Sequence, residues 1–206
     1  MSEKLTCASS WRGDIGVDAD ARTIRGMVLA EAGPLQSGRG EFDEAGLDRL
    51  AELINAAGGV ESYYGHDHVW ETNQPAIFLG MVKNAKVDRS PKPARTRADL
   101  EFAPSSSNIP GRGDLAGYVM QRTTERPEAI SSSLVFYADL ESRPPLKRGT
   151  KTYDQPPFLR PVEVLSSDIV GQGDAVRRLL SVPVEPELTD IEDARLQLQK
   201  KKRRMK

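Results

Sequence analysis

The chain has few of the residues that usually form cross-links or bind metals. Among its 206 residues there is one cysteine, Cys7, and two histidines, His66 and His68. A single cysteine excludes an intramolecular disulfide, and a reducing compartment is the simplest expectation. A zinc site needs three or four ligands, so one that used both histidines would need carboxylates such as Asp67 or Glu71.

Long apolar runs and a strong net charge are also missing. No segment approaches the roughly 18 apolar residues that span a bilayer, and the N-terminal MSEKLTCASSWRGD lacks the apolar centre of a signal peptide. The 29 basic and 30 acidic residues nearly cancel, and only the final QKKKRRMK is strongly basic. We therefore expect a soluble cytoplasmic protein with no nucleic-acid or membrane partner.

What the chain does have is a clear helical pattern near its start. The segment TIRGMVLAEAG is rich in aliphatic residues and predicts a strand. In the segment 42–59, Leu47, Leu50 and Leu53 together with Ile54 fall at spacings of three and four, which predicts a helix with one apolar stripe. Asp43 is placed to cap the start of this helix, and Gly58 with Gly59 to end it.

The rest of the middle is typical of short strands. Aliphatic and aromatic segments separated by turn-forming residues predict strands at 60–68, 76–88, 96–103, 129–141 and 158–171, with a short helix at 113–128 and a Pro-rich basic loop at 142–158. Together they predict an α+β fold with a β-barrel-like or strongly curved core and flanking helices. We divide the chain into a flexible N-terminal segment, 1–22, one folded domain, 23–180, and a basic, helical C-terminal arm, 181–206.

Two stretches carry residues suited to chemistry. In an extended GHDH segment, the side chains of His66 and His68 point the same way, as two metal ligands would, or as two locally hydrogen-bonded residues. A third interpretation makes one histidine the base for a nucleophilic serine. Ser131, Ser132 and Ser133 lead directly into an apolar strand, which would hold such a serine rigidly, although a plain turn before a strand explains them too.

Several segments, in order, resemble the capsid maturation (prohead) proteases of tailed bacteriophages, serine peptidases related to herpesvirus assemblin. These segments are TIRGMVLAEAG, LDRLAELINAAGG, YGHDH, FLGMVKNAKVD with RADLEF, GDLAGYVMQ, SSSLVF and SSDIVGQGDA. Each is short, and their order and spacing carry the resemblance, which runs from about Arg22 to Ala175. It implies a herpesvirus-protease-like fold for the folded domain.

The resemblance implies a catalytic set of three residues. His66 matches the family's histidine before an aspartate and is the expected general base. Ser133 is the expected nucleophile, with Ser132 as the alternative, because the family's serine precedes a short apolar run that ends in an aromatic residue. Asp168 lies in the late strand that carries the family's acid. Many relatives have a glutamate two positions earlier, where this chain has Ser166.

Other residues are alternatives for the same roles. Glu163 is a second candidate acid, and His68 is a third candidate by analogy with the viral Ser-His-His arrangement. Backbone N–H groups are expected to stabilise the oxyanion, with Arg143 or Arg148 as an additional donor, although both arginines are also explained as solvated loop residues. The expected mechanism uses no metal and no organic cofactor.

The resemblance also implies a biological role. The substrates would be the major capsid protein, a scaffold protein and the protease itself, inside an assembling procapsid in the host cytoplasm, with self-association. Two other functions stay open at this point. One is an inactive assembly or scaffold factor with the same fold, and the other is a metal-dependent hydrolase that uses His66 and His68.

Overall fold

The computed structural model describes residues 2–11, 15–65, 76–90, 92–148 and 151–171, and this part of the chain is a mixed α+β structure made mostly of sheet. The strands are β1 (Glu3–Ser10), β2 (Gly16–Asp18), β3 (Thr23–Glu31), β4 (Gly33–Pro34), β5 (Glu41–Phe42), β6 (Val60–Tyr64), β7 (Ile77–Asp88), β8 (Arg95–Phe102), β9 (Ile130–Glu141), β10 (Leu146–Arg148), β11 (Lys151–Tyr153) and β12 (Phe158–Gly171). Within the described ranges there are two α-helices, α1 (Glu44–Ala56) and α2 (Leu115–Glu125). Short 3₁₀ turns lie at Pro104–Ser107 and Pro127–Ala129.

One large sheet organises the molecule. Its strand order is β1-β9-β12-β6-β7-β8-β3-β2, with β5 paired to β12 and β4 paired to β5. Most neighbours are antiparallel, whereas β12 runs parallel to β5 and β6. Strands from both ends of the described part of the chain, β1 and β12, therefore flank the central strand β9.

The sheet is strongly curved, but it does not close into a barrel. The Ser9 hydroxyl on β1 donates a hydrogen bond to the Leu29 carbonyl on β3 at 3.1 Å, and the Ser132 hydroxyl on β9 donates to the Val28 carbonyl. In the part of the chain that the structure describes, these side chains join β3 to β1 and β9, and no main-chain ladder does so. The prediction of a barrel-like core is corrected to a curved sheet, because a barrel requires closure by a continuous ladder.

The predicted helix near the N-terminus is confirmed with its caps. The Asp43 side chain accepts a hydrogen bond from the Gly46 N–H at 2.8 Å and caps α1, which then buries its apolar stripe against β7 and β12. At the other end, Gly58 and Gly59 have φ angles of 73° and 121°, which residues with a Cβ rarely adopt. The fully buried side chains on this helix are Leu47, Leu50 and Ile54.

The predicted flexible N-terminal segment is wrong for residues 3–10. They form β1, which pairs antiparallel with β9, and Leu5, Cys7 and Ser9 are buried on one face. Trp11, directly after this strand, has no exposed surface. The strand was not predicted because many residues of this segment are small and polar. Its side chains nevertheless alternate with a period of two, and every second one lies in the core.

The predicted Pro-rich loop at 142–158 also contains regular structure. Leu146–Arg148 and Lys151–Tyr153 form a two-stranded antiparallel hairpin separate from the large sheet. The arm predicted at 181–206 lies outside the described residues. Among the residues that are described, no helix is long and apolar enough to cross a membrane.

Candidate active site

The structure brings two of the three predicted catalytic residues together. Ser133 on β9 and Asp168 on β12 are direct partners in the antiparallel ladder. Directly opposed residues in such a ladder project to the same face, with Cβ atoms about 4.5–5.5 Å apart. Both residues are buried, with 0% and 4% of their surface exposed. A hydroxyl and a carboxyl group therefore share a protected face of the sheet.

Ser132 and Ser133 project to opposite faces of β9. The Ser132 hydroxyl points toward β3 and donates a hydrogen bond to the Val28 carbonyl. The Ser133 hydroxyl is buried and makes no hydrogen bond to any described residue. Within the described chain, the Ser133 hydroxyl therefore satisfies no backbone group, in contrast to the hydroxyl of Ser132. Of the two serines, only Ser133 lies on the face of Asp168.

Neighbouring strands hold this pair rigidly in place. Ala8 on β1 is opposite Ser133 on its other side, so the row across three strands is Ala8, Ser133 and Asp168. The buried Ser62 hydroxyl on β6 donates a hydrogen bond to the Ser167 carbonyl at 2.7 Å and fastens β6 against β12. A site built on paired strands keeps its side chains in a fixed geometry, which catalysis requires.

The predicted base, His66, lies outside the described residues, as do Asp67, His68 and Glu71. The described chain nevertheless leads up to Gly65, the residue before His66. The Gly65 N–H donates a hydrogen bond to the Ile169 carbonyl at 2.8 Å, and Tyr64 is the ladder partner of Ile169. Strand β6 therefore ends beside the residue that follows Asp168 on β12.

The alternative acid, Glu163, occupies a different part of the sheet. It is exposed and lies opposite Tyr137, four residues along β9 from Ser133, which is about 13 Å at the usual rise of a strand. Ser166, the position where many relatives of the resembled family have glutamate, is opposite Val135. On β12, the carboxylate directly opposite Ser133 belongs to Asp168.

Arg143, considered as an oxyanion donor, has a different set of contacts. Its guanidinium pairs with Glu41 at 2.7 Å and lies over the Phe158 ring, 4.1 Å from the centroid. Phe158 and Asp168 are ten residues apart on β12, which corresponds to roughly 30 Å. Arg143 therefore stabilises the far end of the sheet and cannot contact a group at Ser133. The side chain of Arg148, the other arginine considered, lies outside the described part.

The described residues offer no ready-made metal site. Within them, no three histidine, cysteine, aspartate or glutamate side chains are grouped closely enough to hold a metal ion. The one cysteine, Cys7, is buried, and burial raises the pKa of its thiol to about 11. Because the thiolate is the form that binds metals and attacks electrophiles, Cys7 is an inert core residue at neutral pH.

A small cavity next to this site was not predicted from the sequence. It lies between α2 and the ends of β6, β9 and β12, and we call it the α2 cavity. Tyr118, Val119 and Arg122 of α2 form one wall, and Ile130, Ile169 and Val170 are among the residues that form the other. The helical spacing of the three α2 residues was visible in the sequence, but their partners on distant strands were not.

Within the described chain, a buried serine hydroxyl and a buried aspartate carboxyl group thus lie on directly opposed positions of β9 and β12. Comparison with known protein families, curated proteins and solved structures finds no match to this chain.

Proposed function

We propose that this chain is a serine endopeptidase in which Ser133 is the nucleophile, His66 the general base and Asp168 the residue that orients it. One observation carries the proposal. Ser133 and Asp168 are direct ladder partners on a buried face, and the Ser133 hydroxyl makes no hydrogen bond to any described residue. Most buried hydroxyls pair, as that of Ser132 does; the Ser167 hydroxyl on β12 shares with Ser133 the lack of a partner among the described residues, but Ser167 lies opposite Leu134 and not beside a carboxylate.

The proposed mechanism is the one that a serine, a histidine and an acid perform together. The Ser133 Oγ attacks the carbonyl carbon of a peptide bond while one ring nitrogen of His66 takes the hydroxyl proton. Asp168 accepts a hydrogen bond from the other ring nitrogen and stabilises the imidazolium. His66 then gives the proton to the leaving amine, and a water molecule hydrolyses the acyl-enzyme by the same route in reverse.

The position of β6 supports the assignment of His66. An imidazole that serves both residues must lie over the Ser133–Asp168 row, since a direct pair leaves no room between its members. The chain approaches this row along β6, which ends at Tyr64, and Gly65 is bonded to the backbone beside Asp168. The histidine that follows Gly65 in sequence is thus the natural source of the imidazole.

The substrate and the finer fold are proposed from the resemblance of the ordered segments. The substrates are a capsid-protein propeptide, a scaffold protein and the protease itself, cleaved inside an assembling procapsid in the host cytoplasm. The fold is herpesvirus-protease-like, and protomers associate with one another. The order of helix α1, the strand β9 that carries Ser133 and the strand β12 that carries Asp168 is consistent with this resemblance.

The complete burial of Ser133 favours a second candidate function. With no exposed surface, Ser133 is inaccessible to a polypeptide in this state, and substrate binding must open this face. A chain in which the face stays closed would be an inactive capsid assembly or scaffold factor with the same fold. The two candidates differ in whether Ser133 ever reacts.

The intact mass of the purified protein, followed over hours, separates the two functions. We expect the wild type and Ser132→Ala to shorten and Ser133→Ala to stay whole. Asp168→Asn should slow trimming by about 10³–10⁴-fold, because it supplies the wrong hydrogen-bond pattern to the imidazole. Trimming of Ser133→Ala at the wild-type rate would overturn the assignment.

A second measurement covers the case in which no variant is trimmed. A fluorophosphonate reacts with activated serines and needs no protein substrate. We expect it to label Ser133 in the wild type and to leave Ser133→Ala unlabelled. Absence of both trimming and labelling would favour the assembly factor over the protease.

A further inference from the structure

The α2 cavity has the size of a pocket for one aliphatic side chain. Its volume of about 60 Å³ holds roughly four to six water-sized groups, close to the bulk of a valine or leucine side chain. Aliphatic side chains, among them Val119, Ile130, Ile169 and Val170, line part of its wall, and polar groups line nearly half of it. An apolar group that enters it leaves water without losing hydrogen bonds.

The cavity lies within reach of a peptide bound at Ser133. Val170, in its wall, is two residues from Asp168 on the same face of β12, and its ladder partner Ser131 is two residues from Ser133. Two residues of a strand span about 7 Å, which is also the distance between alternate side chains of an extended peptide. A peptide with its scissile carbonyl at Ser133 would therefore place a nearby side chain at the cavity.

One of the residues that line the cavity is a cation. Arg122 lines the cavity from α2, and its guanidinium has no ion-pair partner among the residues that the structure describes. Many other arginines of this part are paired, as Arg160 is with Asp43 and Arg89 with Asp48. Tyr118, one turn before Arg122, is 49% exposed and forms an open edge. A guanidinium in this position is suited to a carboxylate.

We propose that the α2 cavity selects the substrate of the protease. It takes an aliphatic side chain close to the scissile bond, and Arg122 pairs with an acidic side chain next to that residue in the substrate. This inference rests on the proposed function. The substrate class is a polypeptide segment in which an aliphatic residue adjoins aspartate or glutamate.

Cleavage of a synthetic peptide library, with products identified by mass spectrometry, tests the preference. We expect the wild type to cut near aliphatic–acidic pairs and to prefer an acidic over a basic neighbour by roughly tenfold. Arg122→Glu should reverse the charge preference, and Ala129→Leu, which fills the cavity, should reduce the aliphatic preference. Arg126→Glu is the matched control, since Arg126 is exposed one turn further on and does not line the cavity.

Binding to Ser133→Ala tests the pocket without any cleavage. The probe is the acetylated and amidated peptide Gly-Leu-Glu-Gly, compared with Gly-Leu-Lys-Gly, and the readout is the amide NMR signals of Ala129 and Ile130. We expect the glutamate peptide to shift these signals and Arg122→Glu to weaken its binding at least fivefold. If the amide signals of Ala129 and Ile130 do not shift, the proposal that the α2 cavity binds the substrate is contradicted, whatever the cleavage result.

The two experiments separate the two proposals. Cleavage that depends on Ser133 but is unaltered by Arg122→Glu would support the serine protease and contradict the role of the α2 cavity in substrate selection. Binding without Ser133-dependent cleavage would leave a peptide pocket on a protein that is not a serine protease.

Discussion

At the scale of single residues, we expect Ser132→Ala and Ser133→Ala to have opposite effects on stability and on peptide cleavage. The Ser132 hydroxyl satisfies the buried Val28 carbonyl, so Ser132→Ala should lower the free energy of unfolding by about 1–2 kcal/mol and leave peptide cleavage intact. The Ser133 hydroxyl has no such partner in the described chain, so Ser133→Ala should leave stability unchanged or raise it by about 1 kcal/mol while abolishing cleavage. Urea unfolding and a cleavage assay on the same samples measure both.

Ser131→Ala is a suitable control for this pair, because Ser131 is buried on the same face as Ser133, two residues away. It should not abolish cleavage. A loss of stability in Ser133→Ala larger than that in Ser132→Ala would show that the Ser133 hydroxyl is structural, and would contradict the prediction.

The buried thiol of Cys7 should make the free energy of unfolding depend on pH in the alkaline range. Burial raises the pKa of its thiol to about 11, whereas an unfolded cysteine titrates near 8.5. Because the folded state holds the proton more tightly, its contribution is complete below about pH 8.5 and is lost as the pH rises toward 11. The stability advantage of the wild type over Cys7→Ala should shrink by roughly 2–3 kcal/mol across that window. Urea unfolding from pH 8 to 11 measures it, and parallel profiles for the two proteins would contradict it.

The candidate site was predictable from the sequence only in part. The serine run before an apolar strand pointed to Ser133, but its register depends on which face of β9 meets β12. Asp168 was chosen by resemblance, and its place opposite Ser133 comes from a pairing between strands distant in sequence. The α2 cavity was not predicted, and neither was the absence of an ion-pair partner for Arg122 among the described residues, because local patterns carry no information about which elements pack together.

At the scale of elements, the start of helix α1 is tied to strand β12 through one carboxylate. Asp43 accepts the capping hydrogen bond from Gly46 and a bidentate pair from Arg160, at 2.6 and 2.9 Å. Burial by itself would raise the pKa of the Asp43 carboxyl, but the hydrogen bonds from Arg160 and Gly46 outweigh it and hold the pKa below its usual value. The capping residue therefore also positions the helix on the sheet.

Substitution of Asp43 should separate these two roles. Asp43→Asn keeps a capping oxygen and should cost about 1 kcal/mol, whereas Asp43→Ala loses the cap as well and should cost about 2–3 kcal/mol. The depressed pKa stabilises the fold above the unfolded value near 3.9, so the gap between wild type and Asp43→Asn should vanish as the pH falls through the folded pKa. Unfolding curves at pH 7 and at low pH measure this.

Asp48→Asn is the matched control on the same helix. Asp48 pairs with Arg89 at 2.7 Å, but both side chains are nearly half exposed, so the change should stay within about 0.5 kcal/mol. Equal costs for Asp43→Asn and Asp48→Asn would mean that the tie between α1 and β12 contributes no more than a surface pair.

Helices and strands of this protein differ in how well local sequence patterns predict them, and helix α1 and strand β1 show the physical reason. Helix α1 was predicted with both ends, because a capping aspartate, an apolar stripe and a glycine pair act within one segment. Strand β1 was missed, because it is held by pairing with β9 and its inward residues include small polar ones. Local propensity is informative where an element is stabilised locally and weak where a distant strand decides.

At the scale of the whole molecule, the sheet assembles the site from distant parts of the chain. The strand order places β1, β9, β12 and β6 side by side, so segments near residues 8, 133, 168 and 64 become neighbours. The ends of the described chain are thus part of the scaffold around Ser133. The strand order could not be read from the sequence, since many pairings are compatible with the same strands.

The same topology predicts that the N-terminus is essential for folding. Removal of residues 1–11 takes away β1 and the buried Leu5 and Trp11, and it turns β9 into an exposed edge. We expect the truncated chain to lack a cooperative thermal transition by circular dichroism, whereas removal of residues 1–2 should lower the free energy of unfolding by less than about 1 kcal/mol. Trp11→Ala tests the same contact without truncation and should cost about 3–5 kcal/mol. If the chain that begins at residue 12 unfolds cooperatively at the wild-type temperature, β1 is dispensable and the site scaffold does not need its first strand.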